Sequence, residues 1–323
     1  MSFGRLTPET ILPAVEAAGK IRLTGLVLSL PSYINRVYEL RALDGTKLIA
    51  KFYRPGRWSR DAILDEHRFI SDCADAEIPV VPPLTLESGS TIGDHEGFLF
   101  ALFPKRAGRQ LEINTDADWL RAGALVARTH LAGEKRTAPH RITIDPDRSA
   151  LADATHLCDT IIPGRCRDLY KNVALRLIDW SVPLFAGLER IRLHGDCHRG
   201  NILDRLDEGL LLIDFDDMAM GPPVQDVWLL LPDRVDKSLR EIELFLQGYE
   251  GFRRFDRASL RCVEPLRAMR MIYFLAWCSR QVDDALFRKH FPEWGSDAFW
   301  QKEINDLREQ LEFVMDGGNF DSR

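Results

Sequence analysis

The chain has 323 residues, of which 45% are hydrophobic and 28% are charged, a globular composition that excludes fibrous and wholly disordered proteins. At roughly 150 residues per domain, the length predicts about two domains. The 43 basic and 49 acidic residues give a formal net charge of −6, which argues against a non-specific nucleic-acid binder, because proteins of that class are normally basic.

The apolar runs are short. The longest, 98–104 and 271–278, fall well below the roughly 20 residues that a membrane-spanning helix needs. Residues 1–10 lack the apolar core of a signal peptide, so we expect a cytoplasmic protein without a membrane partner. Six cysteines are scattered without a C-x-x-C pair, which predicts free thiols and no structural zinc site.

The chain before Pro104 is predicted to be mainly β-strand. Its strand-length apolar runs are bounded by turn residues and lie at 27–30, 37–42, 48–52, 84–87 and 98–103. The dipeptide Asp44-Gly45 between two of these runs is typical of a tight hairpin turn. One helix interrupts the strands and is predicted to run from an N-cap at Ser59 to about Asp75.

After Pro104 the pattern changes to helices. A polar segment around Gly108 is typical of a connector, and the apolar periodicity of helices then recurs at 116–131, 166–185, 237–249, 266–281 and 300–314. A small hairpin within 192–217 interrupts them. The sequence therefore predicts an α+β protein with a β-rich lobe over 1–104, a larger helical lobe over 105–315 and a disordered polar tail over 316–323.

The densest group of polar residues is the run L-H-G-D-C-H-R-G-N-I-L at 193–203, and Asp214 follows it directly after an apolar run. An apolar strand leading into an acidic cluster is costly unless a cation binds there, and Mg²⁺ suits oxygen ligands shared with phosphates. The kinase pattern H-R-D-x-x-x-x-N, with a later metal-binding aspartate, has the same spacing. It predicts Asp196 as the catalytic base and Asn201 and Asp214 as magnesium ligands.

The N-terminal half must then hold the phosphates. The strand 48–52 carries Lys51 and resembles the kinase V-A-I-K element, whose lysine pairs with a helix glutamate. Glu66 is the candidate partner, and Asp65 is an alternative. The loop 29–36 contains no glycine, so Ser32 is the candidate phosphate contact through its hydroxyl. The structural alternatives are an edge-strand charge, a solvated helix face and an ordinary turn serine.

Neighbouring residues have alternative interpretations. His194 and His198 are spaced like zinc ligands on a helix, but the flanking glycines oppose a helix, so we favour His194 as a brace of the loop. Cys197 is either a redox-sensitive thiol or a small buried residue, and we favour the second. Asp216 and Asp217 either support magnesium, bind a cationic substrate or cap the local backbone.

The motif H-G-D-x-H-x-x-N at 194–201, followed by I-D-F at 213–215, resembles the aminoglycoside phosphotransferase and choline kinase superfamily. Further blocks resemble its stress response kinase A branch, a family of bacterial serine/threonine protein kinases, and lie at 32–38, 51–58, 193–203, 221–228 and 264–270. These blocks keep one order over most of the chain.

The resemblance implies a bilobal protein-kinase-like fold, ATP as co-substrate and Mg²⁺ as cofactor. It assigns Asp196 as the proton acceptor, Asn201 and Asp214 as magnesium ligands, Ser32 as a nucleotide contact, and Lys51 and Glu66 as the phosphate-positioning ion pair. It also implies a kinase of an envelope or oxidative stress response that acts on protein serine or threonine hydroxyls.

Three departures from ordinary protein kinases concern the acceptor. There is no glycine-rich loop, the metal motif reads D-F-D at 214–216 in place of D-F-G, and no A-P-E segment follows. The platform on which protein kinases dock peptides is therefore missing, so a small hydroxyl compound of the choline, homoserine or aminoglycoside type is the alternative acceptor. A pseudokinase is disfavoured because each catalytic position holds a competent residue. We expect a monomer that binds no nucleic acid.

Overall fold

The computed structural model describes residues 3–32, 34–282 and 285–316. The helices are α1 (Pro8–Gly19), α2 (Arg60–Asp75), α3 (Asp116–Glu134), α4 (Leu151–Thr160), α5 (Gly164–Phe185), α6 (Val224–Trp228), α7 (Leu239–Glu250), α8 (Val263–Ser279), α9 (Ala285–His290) and α10 (Asp297–Asp316). The strands are β1 (Leu23–Leu30), β2 (Arg36–Ala42), β3 (Lys47–Phe52), β4 (Gly93–His95), β5 (Phe98–Pro104), β6 (Arg109–Gln110), β7 (Ile191–Leu193), β8 (Ile202–Asp204), β9 (Leu210–Leu212) and β10 (Ala219–Gly221). The predicted α+β class, with an N-terminal sheet and a larger helical part, is confirmed.

The N-terminal sheet is antiparallel, with the strand order β1-β2-β3-β5-β4. The predicted hairpin between β2 and β3 is confirmed. Gly45 has a φ of +91°, a backbone conformation that glycine adopts without strain, and the Asp44 side chain accepts a hydrogen bond from Thr46 N at 2.9 Å. The turn fixes the register in which Lys51 of β3 pairs with Val37 of β2, and on its other side Lys51 pairs with Ala101 of β5.

Alternation along the strands gives the sheet two different faces. Phe98, Phe100 and Leu102 of β5 pack in one cluster with Phe52 of β3 and with α1. The intervening residue Ala101 packs in another cluster with Ile63 of α2. Because side chains alternate between the faces, Lys51 lies on the α2 side of the sheet.

Helix α2 begins where the sequence predicts. The Ser59 side chain accepts a hydrogen bond from Ala62 N at 3.1 Å, a cap that typically contributes about 1 kcal/mol to helix stability. Asp61 lies in the first turn, where a negative charge favours the helix N-terminus. The buried residues of the helix include Ile63, which packs in a cluster with Ala101 of the sheet, and Glu66.

The predicted strand at 84–87 is wrong. These residues belong to no strand, and β4 pairs with β5 in their place. Leu84 donates one hydrogen bond to Leu102 O at 2.7 Å. Pro82 and Pro83 have no N–H to continue a ladder, and Leu86 N turns back to Ser90 O at 2.8 Å.

The chain divides into two units by its internal contacts. The first unit comprises 1–141, 194–218 and 244–253, and the second comprises 142–193, 219–243 and 254–323. The predicted boundary between 104 and 105, at the end of β5, stays a prediction, and residues 194–218 share a unit with the sheet. Of the predicted tail, Asp316 is the last residue of α10, and 317–323 lie outside the described residues.

Each unit has an identifiable core. In the second unit Tyr170 of α5 packs edge-on against Trp300 of α10, with ring centroids 6.1 Å apart.

All six cysteines are buried free thiols, as predicted. Among the described residues, no helix combines the length and the apolar character that crossing a membrane requires.

In the first unit the backbones of α3 and α7 touch at two glycines. A Cβ atom built on Gly123 would lie 2.0 Å from Phe245 O, and one built on Gly248 would lie 2.1 Å from Leu120 O. Real Cβ atoms do not approach backbone that closely, so only glycine permits this packing. Nearby, Tyr249 OH lies 2.8 Å from His130 Nδ1 and adds a buried hydrogen bond between the two helices.

A buried polar chain ties α2 to the segment before β4. Tyr53 OH lies 2.9 Å from His67 Nε2, and His67 Nδ1 lies 2.7 Å from Thr91 Oγ1. Burial, helped by the charges of Lys51 and Arg141, lowers the pKa of His67 from an ordinary 6.5 to about 3. The imidazole is therefore neutral in the folded protein at neutral pH.

We predict that Gly123→Ala lowers the free energy of unfolding by about 1–3 kcal/mol. Alanine is favoured over glycine inside a helix by up to about 1 kcal/mol, so the clash with Phe245 O outweighs the gain in helix propensity. Urea denaturation measures the loss. Gly251→Ala is the control, because its Cβ would meet only Gly248 O at 3.4 Å. Equal stability of the two variants would contradict the helix contact.

The His67 environment predicts that the free energy of unfolding decreases as the pH is lowered below about 6.5. Between pH 6.5 and about 3 the unfolded chain binds one proton at this residue that the folded chain does not. Each unit by which the pH is lowered in this range therefore reduces the free energy of unfolding by about 1.4 kcal/mol. His67→Gln keeps hydrogen-bonding groups but does not titrate. Denaturation at pH 7, 6 and 5 should therefore show a steeper loss in the unsubstituted protein, and parallel curves would refute the assignment.

Candidate active site

Lys51 is a buried cation surrounded by carboxylates. It is 7% exposed, and its Nζ lies 3.5 Å from Glu66 Oε1, 3.1 Å from Asp214 Oδ1 and 3.2 Å from Asp216 Oδ1. The structure thus brings together the predicted pair Lys51 and Glu66. Asp65 is not the partner, because its carboxylate accepts from Arg68 Nη1 at 2.6 Å and from His140 N at 3.0 Å.

The carboxylates decide the charge of this lysine. Burial alone would lower the pKa of Lys51, but Asp216, Glu66 and Asp214 outweigh it and hold that pKa well above its usual value. Burial raises the pKa of Glu66, against the opposing effect of Lys51. Asp216 is buried as well, yet Lys51, Arg57 and Arg141 lower the pKa of its carboxyl group. The lysine is therefore a fixed ammonium ion.

The loop after β7 is held by His194. The backbone N–H of Asp196 donates to His194 Nδ1 at 3.3 Å, so the ring proton is on Nε2, which donates to Ile213 O at 2.8 Å. The ring is fully buried and packs on Phe215 with centroids 4.6 Å apart. These contacts assign His194 the role of a loop brace and tie Asp196 to the segment that carries Asp214.

Asp196 lies among polar partners within this loop. Asn201 Nδ2 donates to Asp196 O at 2.9 Å and approaches its Oδ2 at 3.4 Å. His198 Nδ1 accepts from Gly200 N at 2.9 Å, which leaves His198 Nε2 as the donor 3.4 Å from Asp196 Oδ2. Gly195, with a φ of +83°, supplies the bend that precedes Asp196. The carboxylate is therefore oriented from both sides.

Asn201 and Asp214 lie at the same end of the β8–β9 hairpin. Ile202 pairs with Leu212 in register, and Ile213 N donates to Asn201 O at 2.9 Å. Asp214 has a φ of 60°, a left-handed conformation that costs about 1–3 kcal/mol and is typical of functional positions. The sequence prediction that these two residues meet thus agrees with the hairpin register.

This donor set fits a magnesium ion. The amide nitrogen of Asn201 is engaged with Asp196, which leaves Oδ1 as the atom for a cation, and the Asp214 side chain is 54% exposed. Within the described residues, histidine, cysteine and carboxylate side chains form no cluster of three that would hold a metal alone. Mg²⁺ bound by one or two protein oxygens together with phosphates suits such a site.

Two arginines that sequence reasoning missed complete the site. Arg57 donates to the carboxylates of both Asp216 and Asp217. Arg141 is fully buried in its side chain, donates to Met218 O at 2.7 Å and to Asp216 O, and stacks on Trp58 at 3.9 Å from the ring centroid. The sequence indicated Arg57 only through the R-W dipeptide at 57–58, which lies in one of the blocks that resemble the stress response kinase A family.

A cavity of about 460 Å³ in the first unit joins these groups. Its polar lining includes the predicted residues Ser32, Lys51, Glu66, Asp196 and Asp214. Its apolar lining is drawn from the sheet, the segment 103–106 and the β8–β9 hairpin and includes Leu30, Val37, Ile49, Phe103, Leu203 and Leu212. A cavity lined by both apolar and polar side chains suits a ligand with a flat ring and phosphates.

Sequence comparison places the chain among phosphotransferases. Residues 27–263 match the profile of the Phosphotransferase enzyme family. Stress response kinase A of Escherichia coli K12 is 36% identical over 321 residues, which cover 98% of this chain and 95% of that protein. Serine/threonine protein kinase RdoA of Salmonella typhimurium LT2 is 35% identical over 97% of this chain and 95% of its own length.

Solved structures show the same fold. Amicoumacin kinase hAmiN, in complex with AMP-PNP, Ca²⁺ and Ami, matches with a TM-score of 0.73 at 20% identity and covers 95% of this chain and 94% of its own. Spectinomycin phosphotransferase APH(9)-Ia matches with a TM-score of 0.66 at 14% identity, over 96% of this chain and 99% of its own. The chain therefore belongs to the phosphotransferase enzyme family as a kinase-type enzyme related to the stress response kinases along nearly its whole length.

Proposed function

We propose that the protein is an ATP- and Mg²⁺-dependent serine/threonine protein kinase of a bacterial stress response, acting in the cytoplasm as a monomer. The observation that carries this proposal is the cavity lined by Lys51, Glu66, Asp196 and Asp214, with Asn201 hydrogen-bonded to Asp196. The relatives named as stress response and serine/threonine kinases support the protein acceptor. The AMP-PNP complex of the related fold supports the nucleotide.

Each residue has a role in phosphoryl transfer. Asp196 accepts the proton of the acceptor hydroxyl as its oxygen bonds to the γ-phosphorus, and the bond from that phosphorus to the β–γ bridging oxygen breaks to release ADP. Lys51 binds the phosphates, and Glu66 holds Lys51. Asn201 Oδ1 and the Asp214 carboxylate would hold Mg²⁺, which neutralises charge on the β- and γ-phosphates.

Ser32 remains the candidate nucleotide contact in the loop after β1. It lines the cavity beside Pro31 and Asn35. Asn35 Oδ1 accepts from Arg54 N at 3.1 Å, which ties this loop to the segment after β3. The loop is therefore anchored without glycine, and the Ser32 hydroxyl supplies a donor that a glycine-rich loop would supply from its backbone.

The acidic side chains of the site are paired with cations of the chain, which favours a protein acceptor over a small compound that carries an amino group. An acidic patch of Asp214, Asp216 and Asp217 would suit an amino alcohol or aminoglycoside. However, Asp216 and Asp217 both accept from Arg57, and Asp216 also lies against Lys51. Asp214 in turn accepts from Lys51 at 3.1 Å, so all three carboxylates are paired with cations of the chain itself.

Asp196→Asn tests the assigned base. Because a positioned general base typically contributes about 10²–10⁴-fold, we expect phosphate transfer from labelled ATP to fall by that factor. The exposed Asp207→Asn, in the turn between β8 and β9, is the matched control and should transfer normally.

The same assay compares acceptors. A protein mixture and a panel of amino alcohols and aminoglycosides are offered side by side, with ADP release measured for both. Protein labelling that Asp196→Asn abolishes supports the proposal. Transfer confined to a small molecule would replace it with the small-molecule kinase, and undiminished transfer by Asp196→Asn would exclude the assigned mechanism.

Asp214→Asn tests the metal site. Asparagine tolerates the left-handed backbone but lacks the negative charge, so the Mg²⁺ concentration for half-maximal transfer should rise about 10-fold or more. Glu66→Gln is the contrasting variant and should raise KM for ATP while leaving the Mg²⁺ requirement unchanged. Thermal shifts by ADP with and without Mg²⁺ give a second readout. An unchanged Mg²⁺ requirement in Asp214→Asn would remove this residue from the metal site.

A further inference from the structure

The segment after β3 is tied to the segment after β9 by one guanidinium. Arg57 donates through Nη1 to Asp216 Oδ2 and through Nη2 to Asp217 Oδ1. The side chains of Arg57 and Asp216 are 12% and 5% exposed, so this ion pair is well shielded from water. A paired fork of this kind fixes geometry as well as charge, which a lysine in its place would not do.

The other oxygen of Asp216 reaches the phosphate-binding lysine. Asp216 Oδ1 lies 3.2 Å from Lys51 Nζ, and it is buried without a hydrogen bond of good geometry. Lys51 therefore has three carboxylate neighbours of different character. Glu66 and Asp216 are almost wholly buried, whereas the Asp214 side chain is half exposed.

The three neighbours do not stabilise Lys51 equally during the reaction that we propose. Asp214 is the assigned magnesium ligand, so a bound cation shares its negative charge and weakens its attraction for Lys51. Lys51 then keeps Glu66 and Asp216 as its counter-ions. A buried ammonium that loses a counter-ion is strongly destabilised, so the second buried carboxylate carries more of the interaction at this stage.

The backbone around Asp216 is fixed from the opposite direction. Arg141 donates to Met218 O and to the carbonyl oxygen of Asp216 itself. Arg57 and Arg141 both lie over the ring of Trp58, at 5.3 and 3.9 Å from its centroid. Asp216 is therefore held by its side chain and its backbone, as a rigid anchor requires.

We propose that Arg57 and Asp216 are positioning residues, whose ion pair keeps Lys51 Nζ aligned for the nucleotide phosphates when Asp214 also binds the cation. This inference rests on the proposed function, because it assumes that a nucleotide binds at Lys51. It gives Asp216 a role different from that of the glycine in the D-F-G motif of protein kinases, and it sets Asp216 apart from the magnesium ligands.

The test measures ADP affinity in the presence of Mg²⁺ by calorimetry, and KM for ATP and kcat for transfer, in Arg57→Gln and Asp216→Asn. We expect both variants to bind ADP more weakly and to show a raised KM for ATP, by about 10-fold, with an unchanged KM for the acceptor. In the double variant the two effects should be less than additive, because both substitutions remove the same anchor.

Arg234→Gln is the matched control. Arg234 donates to Glu264 and Gln310 in the second unit, in a pair with side-chain exposures of 22% and 13%. It should lower the melting temperature comparably and leave ADP affinity unchanged. Arg57→Lys keeps the positive charge but loses the two-pronged hydrogen bonding of the guanidinium, so it should bind ADP with intermediate affinity. If Asp216→Asn does not fold, Arg57→Lys replaces it in the test.

The outcomes separate the inference from the function on which it rests. If the unsubstituted protein binds ADP and the Arg57 variants bind it equally well, the positioning role is wrong while the proposed kinase stands. If the unsubstituted protein binds neither ADP nor ATP, the proposed function itself fails. A matching loss of affinity in Arg234→Gln would reduce the Arg57 effect to general destabilisation and overturn the inference.

Discussion

The site depends on the buried ammonium of Lys51. A lone charge on the inner face of a sheet is strongly unfavourable, so the fold must bring anions to it. Glu66 arrives from α2, and Asp214 and Asp216 arrive from the segment after β9, at 3.1 to 3.5 Å. Both segments are therefore held in place partly by the charge that they neutralise, and in the proposed function the same charge binds the phosphates.

Much of the site could be predicted because its residues follow local patterns. Alternation along β3 determines the face of Lys51, helix periodicity determines that of Glu66, and one hairpin joins Asn201 to Asp214. Arg57 and Arg141 could not be found in this way. They meet Asp216 across 159 and 75 residues, and nothing in their local sequence identifies the partner of an arginine.

In the fold, too, features that depend on neighbouring residues could be predicted, whereas some others could not. The hairpin at Asp44-Gly45 and the cap at Ser59 are determined by residues next to each other and were predictable. Helix α1, which the strand-like interpretation of the N-terminal region overlooked, has Thr7 before Pro8, a usual start signal. At 84–87 the apolar residues fit a strand, but two prolines before them removed the donors that a ladder needs. Because proline has no N–H, this loss is visible in the sequence, and it outweighs the apolar pattern of the residues that follow.

The left-handed backbone of Asp214 narrows the residue types that evolution can place there. Glutamate would keep the carboxylate, but its longer side chain does not stabilise this conformation, and glycine would keep the conformation without a ligand. Asparagine satisfies the backbone and offers an oxygen, but without the charge. Aspartate is the residue that meets both demands, so the position is constrained once by the backbone and, in the proposed magnesium site, a second time by the ligand that it must supply.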